Sequence, residues 1–206
     1  MDTTERRLRL RDALISAAER TVEARGLSGL KARSLANEVG CAVGAIYNVV
    51  ADLDDLVLAV NSRTLAALEG DLIAAGQKEA PDGAGGPIDR LVRMGTAYLA
   101  FASAHTLRWR ALFEHRAPEG KALPDWYLDE QMRLFGYVEG QLCELQPHLP
   151  AQRVALLART LFSAVHGVVM LGLEEKLHAI PPGSLREQVT FIISSIGRSM
   201  QAAAEP

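Results

Sequence analysis

The spacing that comes closest to a metal-binding motif in this chain is a carboxylate and a histidine three residues apart, Glu175 and His178. Helical di-iron proteins use two Glu-x-x-His pairs together with two further glutamates, all projecting into one bundle. This chain offers one such pair near the end of a predicted helix, so a surface ion pair is the preferred interpretation. An oxygen-activating di-metal enzyme would require stoichiometric iron or manganese in the purified protein.

The remaining reactive groups form no recognisable site. Cys41 and Cys143 are far apart, and no Cys or His stands at zinc spacing. Gly83, Gly85 and Gly86 do not follow a predicted strand, so they indicate a linker within 76–87 and not a phosphate-binding loop. No Ser/His/Asp order or paired-carboxylate signature stands out. We therefore expect no catalytic residue, no metal and no cofactor, and the sequence favours a binding function.

Residues 32 to 51 carry the strongest functional signal. They predict two short helices, about 32–39 and 43–49, around a tight turn at Gly40, where a positive φ is easiest without a Cβ. This is the layout of a helix-turn-helix, whose second helix enters the major groove of DNA. Small and apolar residues stand where the two helices must touch: Leu35, Ala36, Val39, Ile46 and Val49.

The segment Arg33–Tyr47, followed by Asp54-Asp55-Leu56, resembles the DNA-binding motif of TetR-family transcriptional regulators. The resemblance extends over about residues 8–60. It implies an all-helical fold, a two-fold dimer and a divergent C-terminal domain that often binds a small effector. It also implies that Tyr47 contacts backbone phosphate and that Gly44 lets the helix approach the DNA.

Four positions depart from the family pattern. Lys31 stands where a capping threonine is usual, Ala42 replaces a serine, Val50 a phenylalanine and Leu53 a phosphate-binding lysine. Each lost phosphate contact lowers affinity without altering sequence recognition. The predicted DNA-binding residues, several of them exposed positions of the second helix, are Lys31, Arg33, Ala42, Val43, Gly44, Ala45, Tyr47 and Asn48.

Charge supports a DNA-facing N-terminus weakly. The net charge is −3, of which residues 1–50 contribute +2 and the remainder −5. The basic run Arg6, Arg7, Arg9 and Arg11 has two interpretations, a DNA-contacting arm and a solvated helix face.

Composition and the residues that mark helix boundaries predict an all-α fold. They predict a helix-turn-helix domain at 1–51 and a helical effector-binding and dimerisation domain at 52–206. Hydrophobic residues make up 49%, and Ala, Leu, Glu and Arg recur. Asp52 is placed to cap a fourth helix. Gly, Pro and capping signals predict helices at about 3–25, 32–39, 43–49, 53–72, 88–104, 106–116, 124–145, 150–178 and 184–203.

The uncharged run Thr160–Leu173 has 14 residues, fewer than the ~20 of a membrane span, and predicts a helix buried within protein. No secretory signal is visible, so a cytoplasmic location is expected. A helix that is apolar all round packs on both the core and a partner. The predicted homodimer interface comprises Leu161, Ala164, Val165, Val168, Gly172, Val189, Ile192, Ile193 and Ile196. Phe162-x-x-x-His166-Gly167 is also similar to the Trp-His-Gly signature of one TetR subfamily, with phenylalanine replacing tryptophan.

Aromatic and soft side chains gather between 98 and 135, which indicates either an ordinary core or an apolar effector pocket. The predicted pocket residues are Tyr98, Phe101, Trp109, Phe113, Trp126, Phe135, His166 and Met170. The whole pattern predicts a ligand-responsive repressor that binds a palindromic double-stranded DNA operator as a dimer and responds to a small apolar effector. The alternative is a helical ligand-binding or interaction module that has kept the fold and lost specific DNA binding.

Overall fold

The computed structural model describes residues 2–78, 85–174 and 181–202. Over these ranges the regular structure is entirely helical, which confirms the predicted all-α fold. The α-helices are α1 (Thr3–Arg25), α2 (Ala32–Val39), α3 (Val43–Ile46), α4 (Leu53–Gln77), α5 (Pro87–Ala104), α6 (Thr106–Glu114), α7 (Asp125–Leu145), α8 (Ala151–Leu173) and α9 (Leu185–Ala202).

Helices α3 and α8 end three or more residues earlier than the sequence predicted, and α6 ends two residues earlier. Helix α3 stops at Ile46, because the next amides bond three residues back, as in the tighter turns of a 3₁₀-helix: Asn48 to Ala45 and Val49 to Ile46. Helix α8 ends at Leu173, and Glu174 has an extended backbone. The Glu175–His178 pair lies outside the described residues.

The chain divides into two compact units. Unit 1 comprises Met1–Ala67 and His105–Glu130, and unit 2 comprises Leu68–Ala104 and Gln131–Pro206. The N-terminal helices therefore share a unit with α6 and the first residues of α7. The functional division at residue 51, which concerns roles and not packing, stays a prediction.

The core of unit 1 fixes the angle between the first helices. Leu35, Ala36 and Ile46 are almost completely buried, as their predicted place at the crossing of α2 and α3 requires. Gly40 ends α2 in the left-handed region with a φ of 70°, where a Cβ would strain the backbone.

Helix α4 begins with a reciprocal cap. The amide of Asp55 donates to Oδ1 of Asp52 at 2.7 Å, and the amide of Ala51 donates to Oδ2 of Asp55 at 3.2 Å. Both carboxylates also lie at the positive end of the helix dipole. The predicted role of Asp52 is confirmed, and it fixes where α4 starts after the helix-turn-helix.

In unit 2, helices α5, α8 and α9 pack through glycines. A Cβ built on Gly95 would overlap Ile193, and one on Gly172 would overlap Leu185. Because the glycines remove side chains at these crossings, the large residues of α9 sit directly on the neighbouring helices. By length and composition alone α8 would also suffice for a membrane span, a test that the core helices of soluble proteins pass too.

Candidate nucleic-acid interface and effector site

The predicted DNA-facing residues lie on the surface around α3. Val43 and Tyr47 are 40% and 51% exposed, large fractions for apolar and aromatic side chains. Ala45 is partly exposed. The other predicted DNA-facing residues are exposed: Lys31, Arg33, Ala42, Gly44 and Asn48. The scaffold beneath them is buried, so the structure separates the residues that build the motif from those that it presents.

Gly44 has no packing function within the subunit. A Cβ built there would meet no heavy atom within 4 Å, and its backbone does not require a positive φ. The fold itself therefore gives no reason for a glycine at this position. The N-terminal turn of α3 therefore presents an open surface without a Cβ at this position.

Helix α1 contacts the C-terminal end of the predicted recognition segment, residues 43–49. Arg7 donates through Nη2 to the backbone carbonyl of Asn48 at 3.0 Å, across 41 residues of sequence. Farther along α1, Arg20 forms an ion pair with Glu38 of α2 at 2.7 Å. Sequence reasoning considered Arg7 only as a DNA arm or a solvated residue and missed this contact. Its partner is a backbone oxygen, which no side-chain pattern reveals.

The start of α4 carries a largely buried contact between a carboxylate and an imidazole. His115, immediately after α6, donates from Nε2 to Oδ1 of Asp54, and Lys121 lies 3.0 Å from both Asp52 and Asp54. Burial alone raises the pKa of Asp54, but hydrogen bonds from His115 and Lys121 outweigh it and lower the pKa. The pKa of Asp52 is also lowered, first by the amide of Asp55 and then by Lys121.

Two further polar contacts join α4 to α6 in the same antiparallel register. Asn61 donates from Nδ2 to the carbonyl of Ala111 at 3.3 Å, and Arg108 donates from Nε to the hydroxyl of Thr64 at 3.3 Å. Asn61 and Thr64 are fully buried. We call these contacts, together with Asp54–His115, the α4–α6 polar ladder.

Helix α1 joins the ladder through carboxylates. Glu19 lies 3.0 Å from Arg108 and 3.1 Å from Arg63, and Glu23 lies 2.9 Å from His105. Only the side chain of Arg108 is largely buried in this set. Unit 1 therefore links the helix that supports the recognition segment to both α4 and α6 by charged contacts.

The predicted effector residues fall into two separate sets. In unit 2 the hydroxyl of Tyr98 is 2.7 Å from Nδ1 of His166, Phe162 stacks on His166, and Phe135 meets Phe162 edge-on. Burial lowers the pKa of His166. Phe101 is buried, and Met170 is partly exposed.

The other three predicted effector residues belong to unit 1. Trp109 is fully buried and meets the exposed Phe113 edge-on, with ring centroids 5.5 Å apart. Trp126 is exposed and meets the buried Tyr127 edge-on at 5.7 Å. Five of the eight predicted effector residues therefore belong to unit 2 and three to unit 1.

The predicted dimer residues also divide into two groups. Ala164, Val168, Ile192 and Ile196 are partly exposed. The other five are buried within the subunit: Leu161, Val165, Gly172, Val189 and Ile193. Among large apolar residues of α8 and α9, those left exposed are Leu156, Leu171 and Phe191.

Comparison with known proteins identifies the family to which this helical arrangement belongs. Residues 91–196 match the family described as Tetracyclin repressor-like, C-terminal domain. No curated protein matches the sequence.

Many solved structures share the fold, among them the following three. A protein of unknown function from Rhodococcus sp. RHA1 is 23% identical, with a TM-score of 0.69 and 96% of each chain covered. A TetR-family transcriptional regulator from Streptomyces coelicolor is 19% identical, with a TM-score of 0.66 over 100% of this chain and 92% of that one. A TetR variant from Acinetobacter baumannii AYE in complex with minocycline is 14% identical, with a TM-score of 0.63 over 94% of this chain and 97% of that one. The all-helical fold and the family match agree, and the chain belongs to the TetR family of transcriptional regulators.

Proposed function

We propose that the protein is a ligand-responsive repressor that binds a palindromic operator as a homodimer in the cytoplasm. The observation that carries the DNA-binding part is the exposed surface of α3 above a buried scaffold, with Gly44 open to approach. A helix presented in this way fits the major groove, and a dimer would place two such helices about 34 Å apart.

Operator binding is tested with DNA from the promoter region of the protein's own gene. Fluorescence anisotropy across low to moderate salt should show binding that is tighter than binding to unrelated DNA of equal length. The electrostatic contribution weakens with salt, while base contacts preserve the preference. Equal affinity for both DNAs throughout would refute the operator proposal.

The proposed DNA-binding roles of Tyr47 and Lys31 are tested with the double variant Tyr47→Phe and Lys31→Ala. Loss of a hydroxyl and an ammonium group from the exposed face should weaken operator binding about tenfold or more while the dimer persists. The matched control is Tyr137→Phe with Lys78→Ala, which makes the same chemical changes in the other compact unit. Equal effects of the two double variants would contradict the assigned DNA surface.

A specific observation favours a second candidate function. Ala42, Val43 and Gly44 offer no side-chain hydrogen-bond donor on the exposed face of α3. A helical interaction module that has lost specific DNA binding would have such a surface. The anisotropy titration separates the two proposals, because a module shows no operator preference and the Tyr47 variant then has no DNA phenotype.

The dimer is proposed to form through the outward surface of α8 and α9. Leu156, Leu171 and Phe191 are 52%, 41% and 62% exposed, and the small residues Ala164 and Gly167 lie between the two leucines on α8. Small residues allow close helix approach, and the large ones supply apolar area, as in an isologous four-helix interface.

Charge reversal tests this interface. Phe191→Glu should shift the mass measured by light scattering from dimer to monomer, because a carboxylate would be buried without a partner. Leu128→Glu, at an exposed leucine in unit 1, is the control and should leave the mass unchanged. A dimer that survives Phe191→Glu together with Leu171→Glu would refute this interface.

The response to an effector is proposed to follow from ligand binding in the helical body. The A. baumannii structure contains minocycline, so one protein with this fold accommodates a small molecule. A ligand that favours one of two arrangements weakens DNA binding by its difference in affinity for them. The unit 2 cluster of Tyr98, Phe135, Phe162 and His166 is a candidate apolar site.

A further inference from the structure

Val43 is the one side chain of α3 that is both exposed and larger than a methyl group. Ile46 of the same helix is completely buried, and the core of unit 1 takes up Val49 and Val50 but not Val43. We propose that Val43 recognises the C5-methyl group of a thymine in the major groove of the operator. Such recognition rests on the proposed DNA binding and specifies which chemical feature of the DNA the exposed surface reads.

The side chains beside Val43 cannot read a base through hydrogen bonds. Ala42 and Gly44 are exposed and Ala45 is partly exposed, and none of the three has a side-chain donor or acceptor. Base edges in the major groove present donors and acceptors, and thymine alone among the unmodified bases adds a methyl group. The first residues of a recognition helix are those that reach the base edges. An apolar side chain there matches a thymine better than any other base.

Exposed cations on the neighbouring helix favour DNA over an apolar protein as the partner of this surface. Lys31 and Arg33, at the start of α2, are exposed, and no described carboxylate pairs with either. By contrast, Arg20 in the same unit is paired with Glu38. Unpaired cations beside an apolar side chain suit a partner with a charged backbone and methyl groups inside a groove, and duplex DNA has both.

The position of Val43 is fixed well enough for a contact with a single methyl group. Its β-branched side chain has one strongly preferred rotamer in a helix. Ile46 anchors α3 in the core, and Arg7 donates to the carbonyl of Asn48 at 3.0 Å just beyond the helix. Contact with a base therefore immobilises little that is not already ordered, and most of the gain from burying the methyl group is retained.

Uracil in place of thymine removes the methyl group and leaves base pairing unchanged, so this substitution isolates the proposed contact. The probe is the promoter fragment that the protein prefers in the anisotropy titration, prepared once with thymine and once with deoxyuridine. The deoxyuridine operator should bind about fourfold more weakly for each methyl group contacted, the factor expected for one buried methyl group. Unrelated DNA with the same substitution corrects for changes in non-specific binding. Duplexes with one deoxyuridine in each half-site then locate the thymine.

Val43→Ala tests whether this residue makes the contact. The variant should lose affinity for the thymine operator by the same factor and should bind the deoxyuridine operator as the parent protein does, so that the preference for thymine disappears. Leu128→Ala is the matched control, because this leucine of α7 is 39% exposed and Val43 is 40% exposed. The control variant should keep the full preference for thymine.

Equal affinity of the parent protein for the two operators would overturn the role of Val43 and leave the proposed operator binding intact. A preference for thymine that survives Val43→Ala undiminished would assign the methyl contact to another residue and would overturn it too. Equal affinity for promoter and unrelated DNA, both with thymine, is a different failure. That result would refute the proposed operator binding, and the recognition of thymine with it.

Discussion

Units 1 and 2 each combine an apolar core with polar contacts between helices, but the joint between α4 and α6 in unit 1 differs in kind from the packing of α9 in unit 2. In unit 1, helices distant in sequence are joined by directional contacts, chiefly the α4–α6 polar ladder and the carboxylates of α1. In unit 2, the described contacts of α5 and α8 with α9 are dominated by apolar side chains seated on glycines.

The difference bears on what each unit must do. Hydrogen bonds and ion pairs specify one register between helices, because a shift by one turn leaves buried groups unpaired. Apolar packing tolerates substitution as long as volume is conserved. Unit 1 contains the proposed DNA surface, where the orientation of α3 decides function. Unit 2 contains the proposed dimer surface, where the apolar area buried on association contributes most to dimer stability.

The largest expected loss of stability comes from overpacking the core of unit 2. Gly172→Val should destabilise the protein by ~3 kcal/mol, because the new side chain must displace the buried Leu185. The free energy of unfolding, measured by chemical denaturation at fixed protein concentration, reports this loss.

Gly140→Val is the control for the glycine substitution. Gly140 is exposed on α7, and a Cβ there would meet nothing within 4 Å. Valine and glycine differ by only a few tenths of a kcal/mol in helix propensity, so the control should be nearly neutral. If both variants unfold equally easily, close packing is not what holds α8 and α9 together.

The second largest loss of stability is expected when the α4–α6 polar ladder of unit 1 is broken. Asp54→Asn removes the charge that pairs with His115 and Lys121 and should cost ~1–3 kcal/mol, since the partner imidazole is buried. Asp71→Asn, at an exposed carboxylate of the same helix, should change the unfolding free energy little. A loss at Asp54 no greater than at Asp71 would show that the ladder contributes no stability.

Acid should weaken both units. The pKa values of Asp54 and Glu69 are lowered; burial opposes each shift, but hydrogen bonds from His115 and Lys121, or from Tyr137 and Arg133, outweigh it. A group whose folded pKa is depressed stabilises the fold above its unfolded pKa, and this stability is lost as pH falls through the folded value.

Melting temperatures should therefore fall as the pH drops below about 4, the ordinary range of these carboxyl groups. In Asp54→Asn and in Glu69→Gln the fall should be shallower than in the parent protein. An unchanged slope in both variants would assign acid sensitivity to other carboxylates.

The sequence predicted the helix-turn-helix well because its determinants are local. Gly40 and the apolar residues of 32–51 lie within about twenty positions of one another, and caps such as Asp52 act within one helical turn. The polar ladder could not be predicted, because Asn61 and Ala111 are 50 residues apart and the acceptor is a backbone carbonyl. No side-chain periodicity encodes such a pair.

The predicted surfaces of the helical body show a related limit of prediction from sequence. Apolar periodicity identified the faces of α8 and α9 that are buried, but it does not distinguish burial within the subunit from burial against a partner. Val189 and Ile193 therefore entered the predicted interface although they pack inside unit 2, while the exposed Phe191 did not. The aromatic composition between 98 and 135 likewise could not reveal that Trp109 and Tyr98 belong to different units.

The smallest expected effect concerns the contact between Arg7 and the carbonyl of Asn48. Arg7→Ala should weaken operator binding only about two- to threefold, since an exposed hydrogen bond contributes at the low end of ~0.5–1.5 kcal/mol.

The salt dependence of binding by Arg7→Ala is more informative than the size of its loss in affinity. A residue that positions the recognition segment leaves the number of phosphate contacts unchanged, so the dependence of affinity on salt should keep its slope. A residue that itself contacts phosphate would reduce the slope by about one. Arg6→Ala, at the exposed neighbour on α1, provides the comparison. A reduced slope for Arg7→Ala would mean that this arginine turns from Asn48 to the DNA, and that the directional contacts of unit 1 do not extend to the recognition segment.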